Sequence, residues 1–475
     1  MNSRKELTVE DVIELCNGEL ICGNPDTVLE NFCQDTRMIQ AGDVYVGIKG
    51  EHHNGNDIYE DALEKGAKVC ILQEIVIPEN IKERYEGRAI IIVEDTIRAL
   101  QKLATYKRSM YDIPVVAITG SVGKTSTKDI VASVMSKEFN VLKTEGNYNS
   151  QLGVALTVLR LKNHTAMVVE LGMSDLGEIS RLTDIVKPTV AVITNIGTAH
   201  IGILGSRENI LKAKLEILEG LQSDGKVVIN NDNDLLHQWS LNSSGRYDVV
   251  TYGMENVSNV MAYNTVLTED GSDYDVDVRS KTYRVHIGIG GNHFVSNSLC
   301  AIAVGRIFNI SMENILDGIA HFELTKRRMQ VEKLENNVTV INDCYNANCD
   351  SMKAAIEYLS KLESNTKIAV LGDMLELGEY SEELHREVGK EVAKDKIDIL
   401  ITVGAEARNI ADEAYKNGMD SQNIYLFNTN EEALSKLKEF IHKGNTSVLI
   451  KASNGMAFQE IANAICVKNS SGDNR

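Results

Sequence analysis

No two of the eight cysteines, at positions 16, 22, 33, 70, 300, 344, 349 and 466, stand in a C-x-x-C pair, which argues against both a zinc site and a redox dithiol. The thiols read instead as small core residues in a reducing compartment. No stretch approaches the roughly 18 uninterrupted apolar residues that a membrane span requires. Residues 1–20, MNSRKELTVEDVIELCNGEL, spread charge through every turn without a continuous apolar h-region, so they do not read as a secretory signal. Clusters of lysine and arginine are also missing. The net charge is -19, with 68 acidic and 49 basic residues interspersed, which disfavours nucleic acid and anionic membrane as partners. There is no repeat of fixed period and no low-complexity tract. These exclusions leave a cytoplasmic small-molecule enzyme, and an acidic surface without a heptad pattern reads as a monomer.

A chain of 475 residues is long for a single core and predicts two or three domains. From residue 115 onward, short runs such as VVAIT, MVVEL, VAVITNI, VVIN, VTVIN, KIAVL, DILITVG and SVLIK alternate with helical periodicity. Unbroken Val/Ile runs are strands covered on both faces, so the chain reads as α/β with parallel sheets and crossover helices. The stretch from 245 to 290 alternates more and predicts an antiparallel excursion. Boundaries fall near YDIP and ELTKRR, giving units 1–109, 110–325 and 326–475. The first has short strands punctuated by glycine and reads as a small α/β binding domain. The tail NSSGDNR is polar and reads as disordered.

The segment AITGSVGKTSTKDI, residues 117–130, places glycines between a buried strand and a helix whose apolar face is Ile130, Val131, Val134 and Met135. A phosphate cradle belongs at such a turn. Backbone N–H groups from Gly120 through Ser121, Val122, Gly123 and Lys124 can surround anionic oxygens, and the helix N-terminus adds partial positive charge. Lys124 then neutralises the β- and γ-phosphates, the Thr125 hydroxyl can ligate magnesium, and Ser126 completes the turn. Ile118 stands where the ordinary Walker A pattern has glycine. A second oxygen ligand for magnesium should come from a neighbouring strand end, and Glu170, which closes AMVVEL, is the natural candidate. The strand in AVITNIGTAHIGILGS likewise delivers Asn195 and then His200 into a glycine-spaced loop. In SRENILKAKLEILEGL, the periodicity buries Leu211, Leu215 and Leu218 and reads Lys212 and Lys214 as a solvated edge.

Taken together, TGSVGKTSTK, TEGNYNSQLGVALTVL, VVELGMSDLGEI, TNIGTAHIGILGSRENILKAKLEI, DCYNAN and LGDMLELGEYSEELH resemble the Mur ligases of bacterial cell-wall synthesis. The likeness runs from about residue 30 to the final strand and is nearest to the branch that adds D-alanyl-D-alanine. It implies a small N-terminal α/β domain for the UDP-substrate, a central P-loop-type domain for ATP, and a C-terminal Rossmann-like domain that completes the ATP site and holds the dipeptide. The implied substrates are UDP-N-acetylmuramoyl-tripeptide, ATP and D-alanyl-D-alanine, joined through an acyl phosphate. By position, Thr125 and Glu170 match ligands of a first magnesium ion and His200 a ligand of a second. Lys214 matches a lysine that gains CO2 as a carbamate and then binds that second ion, a role no sequence pattern suggests.

The same resemblance assigns His293, Asn297, Arg328, Asp343, Tyr345 and Asn346 to the nucleotide, with Arg327 as a rival for Arg328. It assigns Asp35, Thr36 and Arg37 to the UDP moiety, Asn147, Asn149 and Ser150 to the muramoyl-peptide, and Asn348 to the reaction centre. Six positions depart from the family pattern: Phe294 and Ser150 stand for asparagine, Cys349 for proline, Asn454 for arginine, Thr36 for serine with the hydroxyl preserved, and Asn56 where histidine is commoner. The alternatives are a folylpolyglutamate or cyanophycin synthetase type of ligase, or a non-ligating ATP-binding regulatory protein.

Overall fold

The computed structural model describes residues 6–466 apart from 51–52, 77, 244, 269, 279, 335–336 and 442–443. The tail 469–475, read above as disordered, lies outside the described residues. The eight cysteines are free thiols, and no described helix is long and apolar enough to cross a membrane.

Among the described residues, three main sheets follow one another along the chain. The first orders its strands Glu19–Cys22, Ala89–Ile92, Val69–Leu72, Val44–Val46 and Phe32–Cys33, parallel throughout except for the first pair. A short ladder of Leu7–Thr8 with Val28–Leu29 accompanies it. The third sheet orders Gln330–Leu334, Val338–Asn342, Thr446–Lys451, Thr366–Gly372, Ile399–Val403 and Ile424–Phe427, again parallel except for its first pair.

The central sheet carries the glycine turn at residues 120–124, read above as a phosphate cradle and called the phosphate turn below. From one edge it runs Val141–Lys143, Ala166–Glu170, Val115–Thr119, Val190–Ile193, Lys226–Asn230 and Asp248–Gly253, all parallel. It then continues through Val260–Thr268, Gly271–Val278 and Lys281–Ile287, whose last two pairings are antiparallel. The alternating stretch 245–290 is therefore only partly antiparallel, a correction to the sequence reading. Helix Asp234–Asn242 supplies the crossover that brings Asp248–Gly253 back in the parallel sense.

All five residues of Val115–Thr119 are buried, as its position between two parallel neighbours requires. Each buried Val or Ile side chain stabilises the fold by about 1.5–3 kcal/mol. The helix after the turn, Lys124–Met135, buries Ile130, Val131, Val134 and Met135 as its periodicity predicts. From Val115–Thr119 the chain moves to the Val141–Lys143 edge, returns through Ala166–Glu170, and crosses to Val190–Ile193 on the other side. The carboxyl ends of these strands thus open onto the crevice where the strand order reverses, the general ligand position in open α/β sheets.

A buried anchor ties the phosphate helix to the chain leading into the third sheet. The Asp129 carboxylate accepts hydrogen bonds from the Thr325 N–H at 2.9 Å and the Thr325 hydroxyl at 2.8 Å. Lys128 and Lys143 lie 3.0 and 3.1 Å from it. Two cations and two donors compensate the carboxylate for the water it loses.

Candidate active site

The phosphate turn is built around two glycines. Gly120 adopts φ +149° and Gly123 φ +81°, conformations that side chains resist. A Cβ at Gly120 would overlap Thr194 Oγ1, and one at Gly123 would lie 2.9 Å from Asn297 Oδ1. The turn is braced from the strand beside it. Ser121 N donates to the Asn195 carbonyl at 3.1 Å, Val122 N to Asn195 Oδ1 at 2.8 Å, and Thr194 Oγ1 to the Val122 carbonyl at 2.6 Å. Asn195 thus shapes the cradle by holding two of its peptides. Lys124 Nζ folds back to donate to the Gly120 carbonyl at 2.8 Å. Burial lowers the Lys124 pKa, opposed by Glu170 and reinforced by Arg328.

Glu170 is 2% exposed, so it is not the solvated strand-end carboxylate that its segment alone would allow. Its Oε1 accepts from Asn149 Nδ2 at 2.7 Å, while Oε2 is buried without a hydrogen-bond partner. His200 sits at φ +63°, ahead of the short helix Ile201–Leu204. Its Nδ1 is buried without a hydrogen bond, although Glu376 Oε2 lies 3.1 Å away out of alignment. Burial, then the positive charges of Lys124 and Lys214, push the His200 pKa down to about 4, leaving the imidazole neutral at physiological pH.

Lys214 corrects the sequence reading. The buried face of helix Arg207–Leu215 is Ile210, Ala213 and Lys214, whereas Lys212 is exposed and Leu211 and Leu215 are only half-buried. Lys214 is 2% exposed. Burial first, and then Lys124, hold its pKa well below the usual lysine range.

Glu170 Oε2, buried without a partner, and the Thr125 hydroxyl are oxygen donors that suit a hard divalent cation, whose remaining ligands would be phosphate oxygens and water, and the unpartnered His200 Nδ1 adds a nitrogen that could complete such a site. Among the described residues no three His, Cys, Asp or Glu side chains converge as a metal cage. A bare Lys214 ammonium fits such a site poorly, but a neutral amine converted to an acid would fit.

The third domain closes the other wall. A cavity of about 370 Å³ is lined by residues 121–126 from the phosphate turn, by His293, Phe294 and Asn297, and by Arg328, Asp343, Asn346 and Asn348. Glu170, His200 and Lys214 do not line it. Arg328 sits between positive-φ residues, Arg327 at +65° and Met329 at +44°, a local strain of the kind that marks functional turns. Its guanidinium lies 3.9 Å from the Tyr345 ring centroid, and its Nη2 donates to Thr125 Oγ1 at 3.3 Å. Arg327 lies 5.4 Å from the same ring, so Arg328 is the one that reaches the phosphate turn. Tyr345 supports Arg328 from outside the cavity lining.

His293 and Phe294 have ring centroids 4.5 Å apart, and Phe294 is both core and cavity wall. Asn297 Oδ1 accepts from Thr127 Oγ1 at 3.1 Å. Asn348 caps helix Cys349–Lys361 by accepting from Ser351 N at 2.9 Å. Cys349 occupies the first helical position, where proline is well tolerated, so the helix start keeps its form. Asn454 is exposed.

The remaining residues lie apart from the cavity. Asp35 and Arg37 form an exposed ion pair of 2.7 Å, in which Arg37 holds the Asp35 pKa down at about 2, while Thr36 is buried. Asn56 is buried, with Oδ1 accepting from Gln73 N at 2.9 Å. Asn147 is exposed, and the Ser150 hydroxyl caps helix Gln151–Leu159. Sequence reasoning missed Lys451, whose buried ammonium bonds Asp343 Oδ2 at 2.6 Å and the Asn346 carbonyl at 3.0 Å. The strand-end logic that found Glu170 applies equally to Lys451, the last residue of SVLIK. It also missed Asp350 and Asp232, which line the cavity.

Comparison with known proteins gives a consistent result over the length of the chain. The Mur ligase family catalytic domain matches residues 32–108, the Mur ligase middle domain 118–305, and the Mur ligase, glutamate ligase domain 327–454. The UDP-N-acetylmuramoyl-tripeptide--D-alanyl-D-alanine ligase of Bacillus subtilis is 36% identical over 459 residues, covering 96% of this chain and 97% of that one. MurF from Acinetobacter baumannii has a structure with TM-score 0.87 and 28% identity, covering 98% and 99% of the two chains. MurF ligase from Thermotoga maritima in complex with ADP gives TM-score 0.79 and 27% identity over 91% and 96%.

Proposed function

The chain belongs to the Mur ligase family, and from that premise we infer that it joins D-alanyl-D-alanine to UDP-N-acetylmuramoyl-tripeptide, using ATP and releasing ADP and phosphate. The observation that carries this reading is similarity across all three domains to enzymes of that activity. Acceptor choice depends on the first and third domains, which a shared nucleotide core alone would not specify. The folylpolyglutamate, cyanophycin and regulatory alternatives have no comparable support.

We propose the following division of labour. Residues 1–109 hold the UDP moiety through Asp35, Thr36 and Arg37. Residues 110–325 hold ATP, and residues 326–475 complete the ATP site and carry the dipeptide. ATP enters between the phosphate turn and the third domain, where the N–H groups of Gly123 and Lys124 face the phosphates, those of Ser121 and Val122 being held by Asn195, and Lys124 leaves the Gly120 carbonyl for them. Thr125 and Glu170 would hold one magnesium ion, and His200 with carbamylated Lys214 a second. Such ions neutralise phosphate charge and polarise the oxygens being transferred.

His293 and Asn297 approach the nucleotide from the central domain, while Arg328, Asp343 and Asn346 do so from the third, with Tyr345 backing Arg328. Asn147, Asn149, Ser150 and Asn348 face the peptide and the reaction centre. A tripeptide carboxylate oxygen attacks the γ-phosphorus and ADP leaves, giving an acyl phosphate. The dipeptide amine then attacks the acyl carbon, loses a proton, and phosphate departs from the tetrahedral intermediate. Positioning and charge stabilisation supply most of the catalysis, and domain closure keeps water from the acyl phosphate. We place the enzyme in the cytoplasm as a monomer.

Purified protein with ATP and magnesium should release phosphate only when tripeptide substrate and D-alanyl-D-alanine are both present. Parallel assays with lysine- and diaminopimelate-containing tripeptides would define the donor. Phosphate release indifferent to the dipeptide would overturn the assignment.

A further inference from the structure

The loop from Asn195 to Gly205 meets the third domain at Thr198, at His200, where Glu376 Oε2 lies 3.1 Å away, and at its far end, and the contact at Thr198 is made by a side chain to which no role in the reaction is given above. Asp350 is the second residue of helix Cys349–Lys361, a position where the helix dipole favours a carboxylate. Its Oδ2 crosses to the central domain and accepts from the Thr198 N–H at 3.0 Å and the Thr198 hydroxyl at 3.3 Å. The approach needs glycine at 197, where a Cβ would overlap the Asp350 carboxylate and sit 3.4 Å from Ser121 Cβ. From the other side, Gly197 N donates to Ser121 Oγ at 2.9 Å. The Ile196 carbonyl accepts from Arg207 at 2.8 Å and from Asn233 at 3.1 Å.

A continuous relay therefore runs from the phosphate turn at Ser121, through the peptides of Gly197 and Thr198, to a helix of the third domain. His200 lies two residues beyond Thr198, in its left-handed conformation. The far end of the loop is fixed independently. Tyr380 OH donates to the Gly205 carbonyl at 2.6 Å, and Gly202 faces Gly378 so closely that a Cβ would come within 2.6 Å of Gly378 N. Within the central domain, Ile196 and Gly197 are held without help. Among the described residues, the Thr198 N–H has its partner only across the domain boundary.

We propose that Asp350 is a positioning residue that makes the delivery of His200 conditional on closure of the third domain. The loop takes its cation-binding shape when the Asp350 carboxylate reaches Thr198, so the second cation position is completed only once the domain bearing the dipeptide has arrived. Ordering of this kind delays activation of the tripeptide carboxylate until the cleft has closed, and spares the acyl phosphate from hydrolysis. The proposal rests on the reading of His200 as a cation ligand.

The test uses the full-length protein with one fluorophore on the central domain and one on the third, together with a nonhydrolysable ATP analogue and magnesium. Asp350→Ala should lower the closed-to-open ratio on the order of ten- to a hundred-fold, the loss typical of a charge-assisted hydrogen bond. It should lower kcat by no more than that factor and leave KM for the tripeptide within about three-fold. Asp350→Asn keeps an acceptor oxygen and should recover most of both. Gly197→Ala, which pushes on the same contact from the opposite side, should reproduce the closure defect and serves as a second probe should Asp350→Ala fold poorly. Wild-type closure and turnover in Asp350→Ala, or an asparagine variant no better than alanine, would overturn the proposal. Full activity in His200→Ala would overturn the cation reading itself, a failure separate from one confined to the Asp350 contact, which the closure signal reports alone.

Discussion

Replacing Lys214 by methionine is expected to make the protein more stable and inactive. Lys214 is 2% exposed, and its pKa is held well below the usual range by burial and by the nearby Lys124 charge. The unfolded chain carries an ordinary lysine with a pKa of about 10.4, so removing its proton at pH 7 costs up to about 4.6 kcal/mol. Folding must bear either that cost or the cost of a buried charge. Methionine has similar volume and nothing to protonate, so in CO2-free buffer Lys214→Met should gain about 2–4 kcal/mol. The sign of the pH dependence follows. Wherever the unfolded state binds more protons, stability rises with pH, so wild type should close the gap on the variant as pH climbs toward the ordinary lysine value and lag it progressively more as pH falls.

Carbamylation consumes the neutral amine and leaves an anion, so bicarbonate should stabilise wild type by mass action and leave the methionine variant unchanged. Urea unfolding of both proteins at pH 7 and pH 9.5, with and without bicarbonate, measures all of this. Dipeptide-dependent phosphate release should vanish in Lys214→Met, and Lys214→Ala should be partly rescued by a small carboxylic acid in solution. Equal stability of wild type and the methionine variant, with no response to bicarbonate, would refute the argument that burying a lysine at 214 costs stability. Full activity in the alanine variant would refute the carbamate.

Gly120→Ala forces a side chain onto a φ of +149° and into Thr194 Oγ1. It should destabilise the protein by about 2 kcal/mol or more and abolish ADP binding by calorimetry. Arg328→Ala removes both the stack on Tyr345 and the bond to Thr125, so kcat/KM for ATP should fall on the order of ten- to a hundred-fold, whereas Arg327→Ala should change it less than about three-fold. For His293, burial opposed mainly by Asp343 pushes the pKa down to about 4, below the ordinary value of about 6.5. The unfolded state binds the extra proton in that window, so stability should be lost as pH falls from about 6.5 to about 4, by about 2–3 kcal/mol. His293→Asn should flatten that part of the profile in denaturant titrations.

Much of the architecture is local information. Val115–Thr119 and its parallel neighbours are apolar at every position because both faces are covered, and that shows in the sequence as unbroken Val/Ile runs. Gly120 and Gly123 are legible because a tight strand-to-helix turn leaves no room for side chains, and the place of Glu170 because a buried apolar run that ends on a carboxylate marks the end of a parallel strand. The reading failed where a helix or strand faced a choice that depends on distant residues. Asp248–Gly253 pairs parallel because helix Asp234–Asn242 carries the chain back across the sheet, and its alternating composition does not reveal this.

The sequence by itself determined the three-part α/β plan, the glycine turn between strand and helix, and the strand ends from which polar groups could emerge, since each follows from spacing along the chain. Only the tertiary structure decided that Lys214 and not Leu215 turns inward, that Arg328 outreaches Arg327, and that Lys451 and Asp350 stand against residues far away in the chain. Helical periodicity fixes which residues share a face but not how that face is rotated against its neighbours, and contacts between domains depend on packing that spacing along one chain does not encode.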